Sequence, residues 1–230
     1  MIREQFSIDG RECTVHGTGR AEFLLIQPVD DHDLAGLERE TEMISAEAGA
    51  SFLLAAHKIR DWNHELSPWP GPSVFGSEDF GDGAAETLSF VRDKLICYAT
   101  RNFEIISGTP IILGGYSLAG FFALWSAYQT DTFSGIAAVS PSVWFPGWIT
   151  YAEAHRPHAE YIYLSLGNKE EKARNPVMAT VGRCIRSQQE LLTKAGIAND
   201  LEWNEGNHFR DPDLRTAKGF VRCIRHLKKG

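Results

Sequence analysis

The residues from 111 to 120 constrain the fold of this chain more than any other part of the sequence. Residues 111–113 are all aliphatic, which is typical of a strand that is covered on both faces. They lead into the turn Gly-Tyr-Ser-Leu-Ala, and apolar side chains then recur with helical spacing at Leu118, Phe121, Phe122 and Trp125. The sequence therefore predicts a strand, a sharp turn with Ser117 at its tip, and a helix.

A serine at such a turn is a candidate nucleophile. The turn forces the serine into a strained backbone conformation, so the residues two before and two after it must be very small. Gly115 and Ala119 meet that requirement, and Gly114 and Gly120 relax it further. Ser117 is also expected at a helix N-terminus, where backbone N–H groups can stabilise an oxyanion. The alternative is an ordinary glycine-rich turn without a catalytic role.

The rest of the chain alternates between short apolar runs and longer helical patterns. We predict strands at residues 23–26, 52–56, 111–113, 135–139, 161–166 and 201–203. We predict helices at residues 33–48 and 87–102, and two more that begin at the Asn-Pro pair 175–176 and the Asp-Pro pair 211–212. Gly196 is expected to end the third helix. This alternation predicts one domain over residues 1–230, a three-layer α/β/α sandwich with a mostly parallel sheet.

A serine nucleophile needs a base, and in this fold class an acid and then a histidine follow the serine along the chain. Only two histidines follow at a suitable distance, His208 and His226. His226 lies in an amphipathic helical pattern and is expected to face solvent. His208 follows the strand at 201–203, and the carboxyl ends of parallel strands are where ligands bind. We therefore favour His208 as the base, although an idle loop histidine is the alternative.

The acid is expected after the strand at residues 161–166. The turn there contains Lys169, Glu170, Glu171 and Lys172 and no aspartate. Glu170 lies three residues after Gly167, a spacing that suits the acid of a triad, and Glu171 is the alternative. A simple run of solvated charges is the interpretation without a function.

These segments resemble the α/β-hydrolases, in the esterase branch that includes S-formylglutathione hydrolases, feruloyl esterases and siderophore esterases. The resemblance rests on residues 114–120, 165–176 and 202–209, and it extends more loosely over residues 20–228 as an order of elements. It implies an α/β-hydrolase fold, and at this length one without a large cap domain.

The resemblance also implies an activity, the hydrolysis of carboxylic esters through an acyl-enzyme. Ser117 would be the nucleophile, His208 the base, and Glu170 or Glu171 the acid. Two alternatives stay open. One is an acyltransferase that uses the same triad, and the other is a non-catalytic ligand-binding protein of the same fold. The second would predict a damaged triad, whereas a serine, a glutamate and a histidine are present in the expected order.

An oxyanion hole is implied as well, formed by the N–H of Leu118 and a second N–H from the loop after Ala56. The sequence there lacks the His-Gly-Gly-Gly run of lipases, which leaves Lys58 or Ile59 as the second donor. Ala119 stands where the commonest form of the turn has glycine, a sterically harmless difference.

Aromatic side chains are concentrated in two irregular stretches, residues 57–83 and 140–155, which both follow strand ends. Four tryptophans lie there, Trp62, Trp69, Trp144 and Trp148, together with Phe75, Phe80, Phe145 and Tyr151. We expect them to form a pocket rim that suits an apolar or aromatic group of the substrate. The alternative is that these rings pack the two loops against the domain.

Net charge and the length of the apolar runs indicate which kinds of molecule this protein can bind. The net charge is −7 without a basic stripe, which argues against nucleic acid. No apolar run reaches the roughly 18–20 residues of a membrane span, and the first residues lack the apolar core of a signal peptide. We therefore expect a cytoplasmic protein whose partner is a small-molecule ester, although an apolar rim can also serve as the interface of a homo-oligomer.

Cysteine and histidine spacing gives no sign of a metal or cofactor. The four cysteines, at positions 13, 97, 184 and 223, form no C-x-x-C pair and are expected to be buried free thiols. The eight histidines show no tight ligand spacing. We expect neither a metal nor a cofactor.

Overall fold

A computed structural model describes residues 2–74 and 76–229 of the chain. Eight strands form one sheet in the order β1-β2-β4-β3-β5-β6-β7-β8. The strands are β1 Ile2–Ile8, β2 Arg11–Gly17, β3 Phe23–Val29, β4 Phe52–Lys58, β5 Ile111–Tyr116, β6 Gly135–Val139, β7 Tyr161–Gly167 and β8 Ala198–Asn204. From β4 to β8 all neighbouring strands are parallel, whereas β1 and β2 run antiparallel to their neighbours.

Helices cover both faces of the sheet. They are α1 Asp31–Glu47, α2 Trp62–Glu65, α3 Ala84–Phe90, α4 Ile96–Asn102, α5 Ser117–Ser126, α6 Trp148–Ala154, α7 Val181–Lys194 and α8 Pro212–Leu227. A π-helical turn, Val91–Leu95, joins α3 to α4, and short 3₁₀ helices lie at Glu170–Lys172 and Met178–Thr180. The predicted three-layer α/β/α build with a mostly parallel sheet is confirmed.

The core consists of two apolar clusters, one on each face of the sheet. Leu37 of α1 and Phe220 of α8 pack on one face. Phe121 of α5 and Ile185 of α7 pack on the other, together with the helices between residues 84 and 102. Successive residues of the central strands contribute to opposite clusters, because side chains alternate along a strand.

The N-terminal hairpin is one element that the sequence analysis missed. Strands β1 and β2 pair in register from Ile2↔Gly17 to Ile8↔Arg11. Asp9 and Gly10 join them with φ of 49° and 76°, the positive values that a tight hairpin turn of the primed type requires. The Asp-Gly pair is a strong hairpin signal, but the flanking residues alternate only weakly between apolar and polar.

Element boundaries differ from the predictions in several places. Strand β3 continues through Pro28 to Val29, and β4 runs two residues past Ala56. The helix expected from the Asn-Pro pair begins only at Val181, because Asn175 caps the chain locally through the N–H groups of Val177 and Met178. Helix α6 lies within a stretch that was predicted to be irregular.

The four cysteines are free thiols, as predicted, but they are not all buried. Cys13 and Cys223 are buried, whereas Cys97 and Cys184 are partly exposed. Among the described residues, no helix combines the length and the apolar character that crossing a membrane requires.

Candidate active site

Ser117 stands at the junction of β5 and α5 with φ of 58°. The crowding around it explains the small residues of the turn. A Cβ atom on Gly115 would lie 2.7 Å from the Cβ of Ala119, and one on Gly120 would lie 2.7 Å from the carbonyl oxygen of Gly115. The strained backbone expected of this turn is present, and it holds the serine side chain in the open at the carboxyl edge of the sheet.

Ser117, His208 and Glu170 are joined by two hydrogen bonds. Ser117 Oγ lies 3.0 Å from His208 Nε2, and His208 Nδ1 lies 2.7 Å from Glu170 Oε2. The residues follow three different strands, β5, β8 and β7. The structure therefore brings together the serine, histidine and first-choice acid that the sequence singled out.

Glu170 is held by groups other than the histidine. Its Oε1 atom accepts hydrogen bonds from the N–H of Gly167 at 2.7 Å and the hydroxyl of Ser140 at 2.8 Å. Arg215 Nη1 lies 3.4 Å from the same oxygen. Only 4 % of the Glu170 side chain is exposed, so these partners replace the water that a buried carboxylate gives up.

Glu171 points elsewhere. Its Oε2 atom accepts two hydrogen bonds from the guanidinium of Arg186, each 3.2 Å long. Arg186 belongs to α7, and Glu171 also packs against Gly182 of that helix. The geometry therefore brings Glu170, and not Glu171, to His208.

Arg215 and Tyr116 form a buried network beneath the histidine, which the sequence analysis did not find. The Tyr116 hydroxyl donates to the backbone carbonyl of His208 at 2.7 Å, and Arg215 Nη1 donates to that hydroxyl at 3.1 Å. Arg215 Nη2 donates to the carbonyl of Glu205 at 2.9 Å. Burial, reinforced by the Glu170 carboxylate, raises the pKa of Tyr116 to about 12, so the hydroxyl remains a donor. Arg215 lies in an amphipathic helix, and its inward direction could not be read from spacing alone.

The N–H groups of Lys58 and Ile59 do not point towards Ser117. The N–H of Ile59 donates to the carbonyl of Val29 at 2.9 Å, so β4 stays paired with β3 to its end. Neighbouring N–H groups of a strand point to opposite sides, which directs the N–H of Lys58 towards β2 and away from Ser117. The prediction of Lys58 or Ile59 is wrong because β3 lies between β4 and β5.

Two backbone regions remain near the serine. The N–H of Leu118 is in the first turn of α5, where N–H groups have no partner within the helix. Strand β3 is the neighbour of β5, and Asp30, directly after it, lines the same cavity as Ser117. Asp30 and Asp33 form a reciprocal capping box at the start of α1.

A cavity of about 930 Å³ surrounds Ser117. Trp62 and Trp144 line it, and Phe209 stands at its wall with 83 % of its surface exposed. Its wall also carries three cationic side chains, Lys169, Lys172 and Arg174.

Trp69 and Trp148 do not line this cavity, so the prediction is wrong for both. Trp148 is fully buried and donates through Nε1 to Gln188 Oε1 at 2.9 Å. Trp69 donates to the carbonyl of Pro146 at 2.8 Å and packs on Tyr151 with ring centroids 5.3 Å apart. They pack the loops down together with Phe80 and Phe145, whose rings are 4.9 Å apart. Phe75 lies outside the described residues.

Comparison with known protein families gives a match. A family model described as "Putative esterase" matches residues 77–212, more than half of the chain and the whole span from Ser117 to His208. Among proteins with curated descriptions, no sequence matches.

Solved structures share the fold. The siderophore hydrolase EstA from Aspergillus nidulans superposes with a TM-score of 0.71 at 17% identity, over 98% of this chain and 94% of that one. The BES protein from Bacillus cereus superposes with a TM-score of 0.65 at 17% identity, over 96% of this chain and 94% of that one. The enterobactin esterase FES from Shigella flexneri gives 0.69 at 14% identity, over 94% of this chain and 56% of that one. Because the family model matches more than half of this chain, the chain belongs to the "Putative esterase" family. It is a carboxylic-ester hydrolase with the α/β-hydrolase fold.

Proposed function

We propose that the chain cleaves carboxylic esters through an acyl-enzyme on Ser117, with His208 as general base and Glu170 as the residue that orients it. The observation that carries the proposal is the unbroken pair of hydrogen bonds, 3.0 Å from serine to histidine and 2.7 Å from histidine to glutamate. A serine hydroxyl is a weak nucleophile on its own, and this arrangement is the one that activates it.

Acylation proceeds in two proton transfers. His208 Nε2 takes the proton of Ser117 as Oγ attacks the ester carbonyl carbon, and the carbonyl oxygen becomes an oxyanion. The C–O bond to the alcohol then breaks, and the imidazolium gives its proton to the leaving oxygen. Water attacks the acyl-enzyme with His208 again as base, which releases the acid and restores Ser117.

Glu170 has an orienting role in this scheme. Its carboxylate accepts the Nδ1 proton of His208, which leaves Nε2 free to act as the base. It also stabilises the imidazolium that forms in each transition state. Its second oxygen is occupied by Gly167 and Ser140, so the carboxylate cannot rotate away from the histidine.

The oxyanion would be held by the N–H of Leu118 and by the N–H of Asp31 at the start of α1, because the N–H of Asp30 already donates to Asp33 Oδ2 at 3.3 Å. Both regions lie at helix N-termini on adjacent strands, where N–H groups and helix dipoles favour negative charge. Each such donor contributes about 3 kcal/mol to the stabilisation of the transition state. Trp62 and Trp144 on the cavity wall suit an ester with an aromatic or extended apolar portion.

Labelling with a fluorophosphonate, mapped by mass spectrometry, tests this proposal. We expect modification at Ser117 in the wild type, none in Ser117→Ala, and at least 100-fold slower labelling in His208→Ala. Two matched controls should label like the wild type: Ser142→Ala, which changes another serine of the cavity, and His226→Ala, which changes an exposed histidine. If folded protein is unmodified at Ser117, or if His226→Ala slows labelling as much as His208→Ala, the proposed mechanism is wrong.

A further inference from the structure

The loop after β7 carries three cations on the wall of the cavity that contains Ser117. They are Lys169, Lys172 and Arg174, which we call the basic trio. All three side chains are exposed. Within residues 2–74 and 76–229, none of them forms an ion pair with a carboxylate or a side-chain hydrogen bond.

The acids of the same loop cannot neutralise the trio, because arginines from elsewhere already engage them. Glu170 is held by Arg215 of α8, and Glu171 by Arg186 of α7. In a simple run of solvated charges, the lysines would pair with the glutamates beside them. Here the acids turn inward or towards α7, and the positive charge is left at the cavity.

The backbone beneath the trio is fixed at both ends. The N–H of Lys169 donates to the carbonyl of Gly206 at 3.0 Å, which ties the loop to the segment that carries His208. Asn175 accepts from the N–H of Val177 at 2.9 Å and donates to the carbonyl of Val74 in the loop after β4. The trio therefore stands on an anchored segment with free side chains, and such a segment can hold a charged ligand without first being ordered.

Apart from Glu170, which is paired with His208 and Arg215, the acidic residues of the cavity lie on the other side of the serine. Asp30 and Asp33 follow β3, whereas the trio follows β7, three strand positions away. At about 4.8 Å per strand the two sides are roughly 14 Å apart, more than a Debye length at physiological salt. The chain as a whole has a net charge of −7, so this local positive wall opposes the sign of the overall field.

We propose that the preferred substrates are carboxylic esters that carry a negatively charged group, such as a carboxylate, whose charge is met by Lys169, Lys172 and Arg174. This inference rests on the proposed function of Ser117. The negative group can belong to the acyl part or to the alcohol part of the ester, and the test below separates these two sources.

Matched pairs of esters provide the test. For the acyl part, the 4-nitrophenyl monoester of suberic acid is compared with its methyl ester. For the alcohol part, the butyrate ester of 4-hydroxybenzoic acid is compared with that of methyl 4-hydroxybenzoate. The readout is the ratio of kcat/KM for the anionic ester to that for the neutral ester, at low and at high salt.

In the wild type we expect this ratio to exceed one for at least one pair and to fall as salt is raised from 20 to 500 mM. In the triple variant Lys169→Gln, Lys172→Gln, Arg174→Gln, the ratio should fall about tenfold and lose its salt dependence. The control triple variant Arg101→Gln, Arg156→Gln, Lys194→Gln changes the net charge equally at exposed positions outside the cavity, and its ratio should stay within twofold of the wild type.

Failure of this inference is distinguishable from failure of the proposed function. If Ser117 is labelled and neutral esters are cleaved, but both pairs favour the neutral ester, the anionic preference is wrong and the hydrolase stands. If the control triple variant lowers the ratio as much as the trio variant, the effect belongs to the net charge and not to these three residues. If no ester is cleaved and Ser117 is not labelled, the proposed function itself fails.

Discussion

The guanidinium of Arg215 lies 3.4 Å from the carboxylate of Glu170, and only 5 % and 4 % of the two side chains are exposed. The contact is made to Oε1, so it leaves Oε2 for His208. Because both charges are removed from water, loss of one partner leaves the other buried and poorly compensated. The pair is therefore expected to stabilise the folded domain as well as to hold Glu170 in position beside His208.

Arg215→Met should lower the free energy of unfolding by about 3 kcal/mol, the usual cost of breaking a buried ion pair from one side. Urea unfolding at pH 7 measures it. Arg222→Met is the matched control on the same helix, since its ion pair with Glu202 is half exposed. It should cost less than about 1 kcal/mol. If the two variants lose the same free energy of unfolding, the buried pair with Glu170 stabilises the domain no more than the half-exposed pair does.

Glu170→Gln should reduce kcat by about 10³–10⁴, because an amide at this position favours the wrong tautomer of His208. Glu171→Gln should stay within about threefold of the wild type, since its carboxylate faces Arg186. Steady-state hydrolysis of a neutral 4-nitrophenyl ester compares the two variants. A larger loss in Glu171→Gln would reverse the assignment of the acid.

Gly120→Ala should destabilise the domain by at least about 2 kcal/mol. The new methyl group would lie 2.7 Å from the carbonyl oxygen of Gly115 and 2.9 Å from that of Val139, and neither backbone atom can move aside. This clash outweighs the roughly 1 kcal/mol that alanine gains over glycine within a helix.

Thermal unfolding measures the effect of Gly120→Ala, and a loss of about 4 °C or more is expected. Gly71→Ala is the control, because a methyl group there meets its nearest side-chain atom at an ordinary 3.6 Å. A Gly120→Ala protein as stable as Gly71→Ala would contradict the tight packing of the turn.

His57 makes the stability of the domain depend on pH. It is fully buried in β4, and neither ring nitrogen has a hydrogen-bond partner among the described residues. Burial, aided by the positive charge of Arg11, lowers its pKa from 6.5 to about 3. The unfolded chain therefore binds a proton at a higher pH than the folded chain does. This contribution is fully present above pH 6.5 and is lost as the pH falls towards 3.

Between pH 7 and pH 4.5 we expect the wild type to lose about 3 kcal/mol more stability than His57→Phe, as measured by urea unfolding. Burial raises the pKa of Asp33 to about 6 and acts with the opposite sign, but it is common to both proteins and cancels. His158→Gln, which changes an exposed histidine, should follow the wild type. Parallel pH profiles for the wild type and His57→Phe would contradict this account.

The sequence located the candidate triad because each member lies within four residues of the carboxyl end of a strand. It favoured Glu170 over the neighbouring Glu171 only by the spacing of three residues from Gly167. Their difference comes from Arg215 and Arg186, which reach them from two other helices. Local spacing holds no information about such contacts.

The oxyanion prediction failed for a related reason. Which strand lies beside β5 is a long-range property, and here β3 comes between β4 and β5. For the same reason only two of the four predicted tryptophans line the cavity. The direction of a side chain in an irregular stretch depends on what it packs against. Trp148 finds Gln188 in the core, whereas Trp144 lines the cavity.

The aromatic packing of the two loops has a consequence for molecular recognition. Trp69 binds the backbone at Pro146, and Phe145 stacks on Phe121 of α5 with ring centroids 4.9 Å apart. Trp144 is thus held between anchored neighbours before any ligand arrives. Little conformational entropy is then lost when a ligand docks against this wall, so selection among ligands relies on complementarity to a preformed shape and not on induced fit.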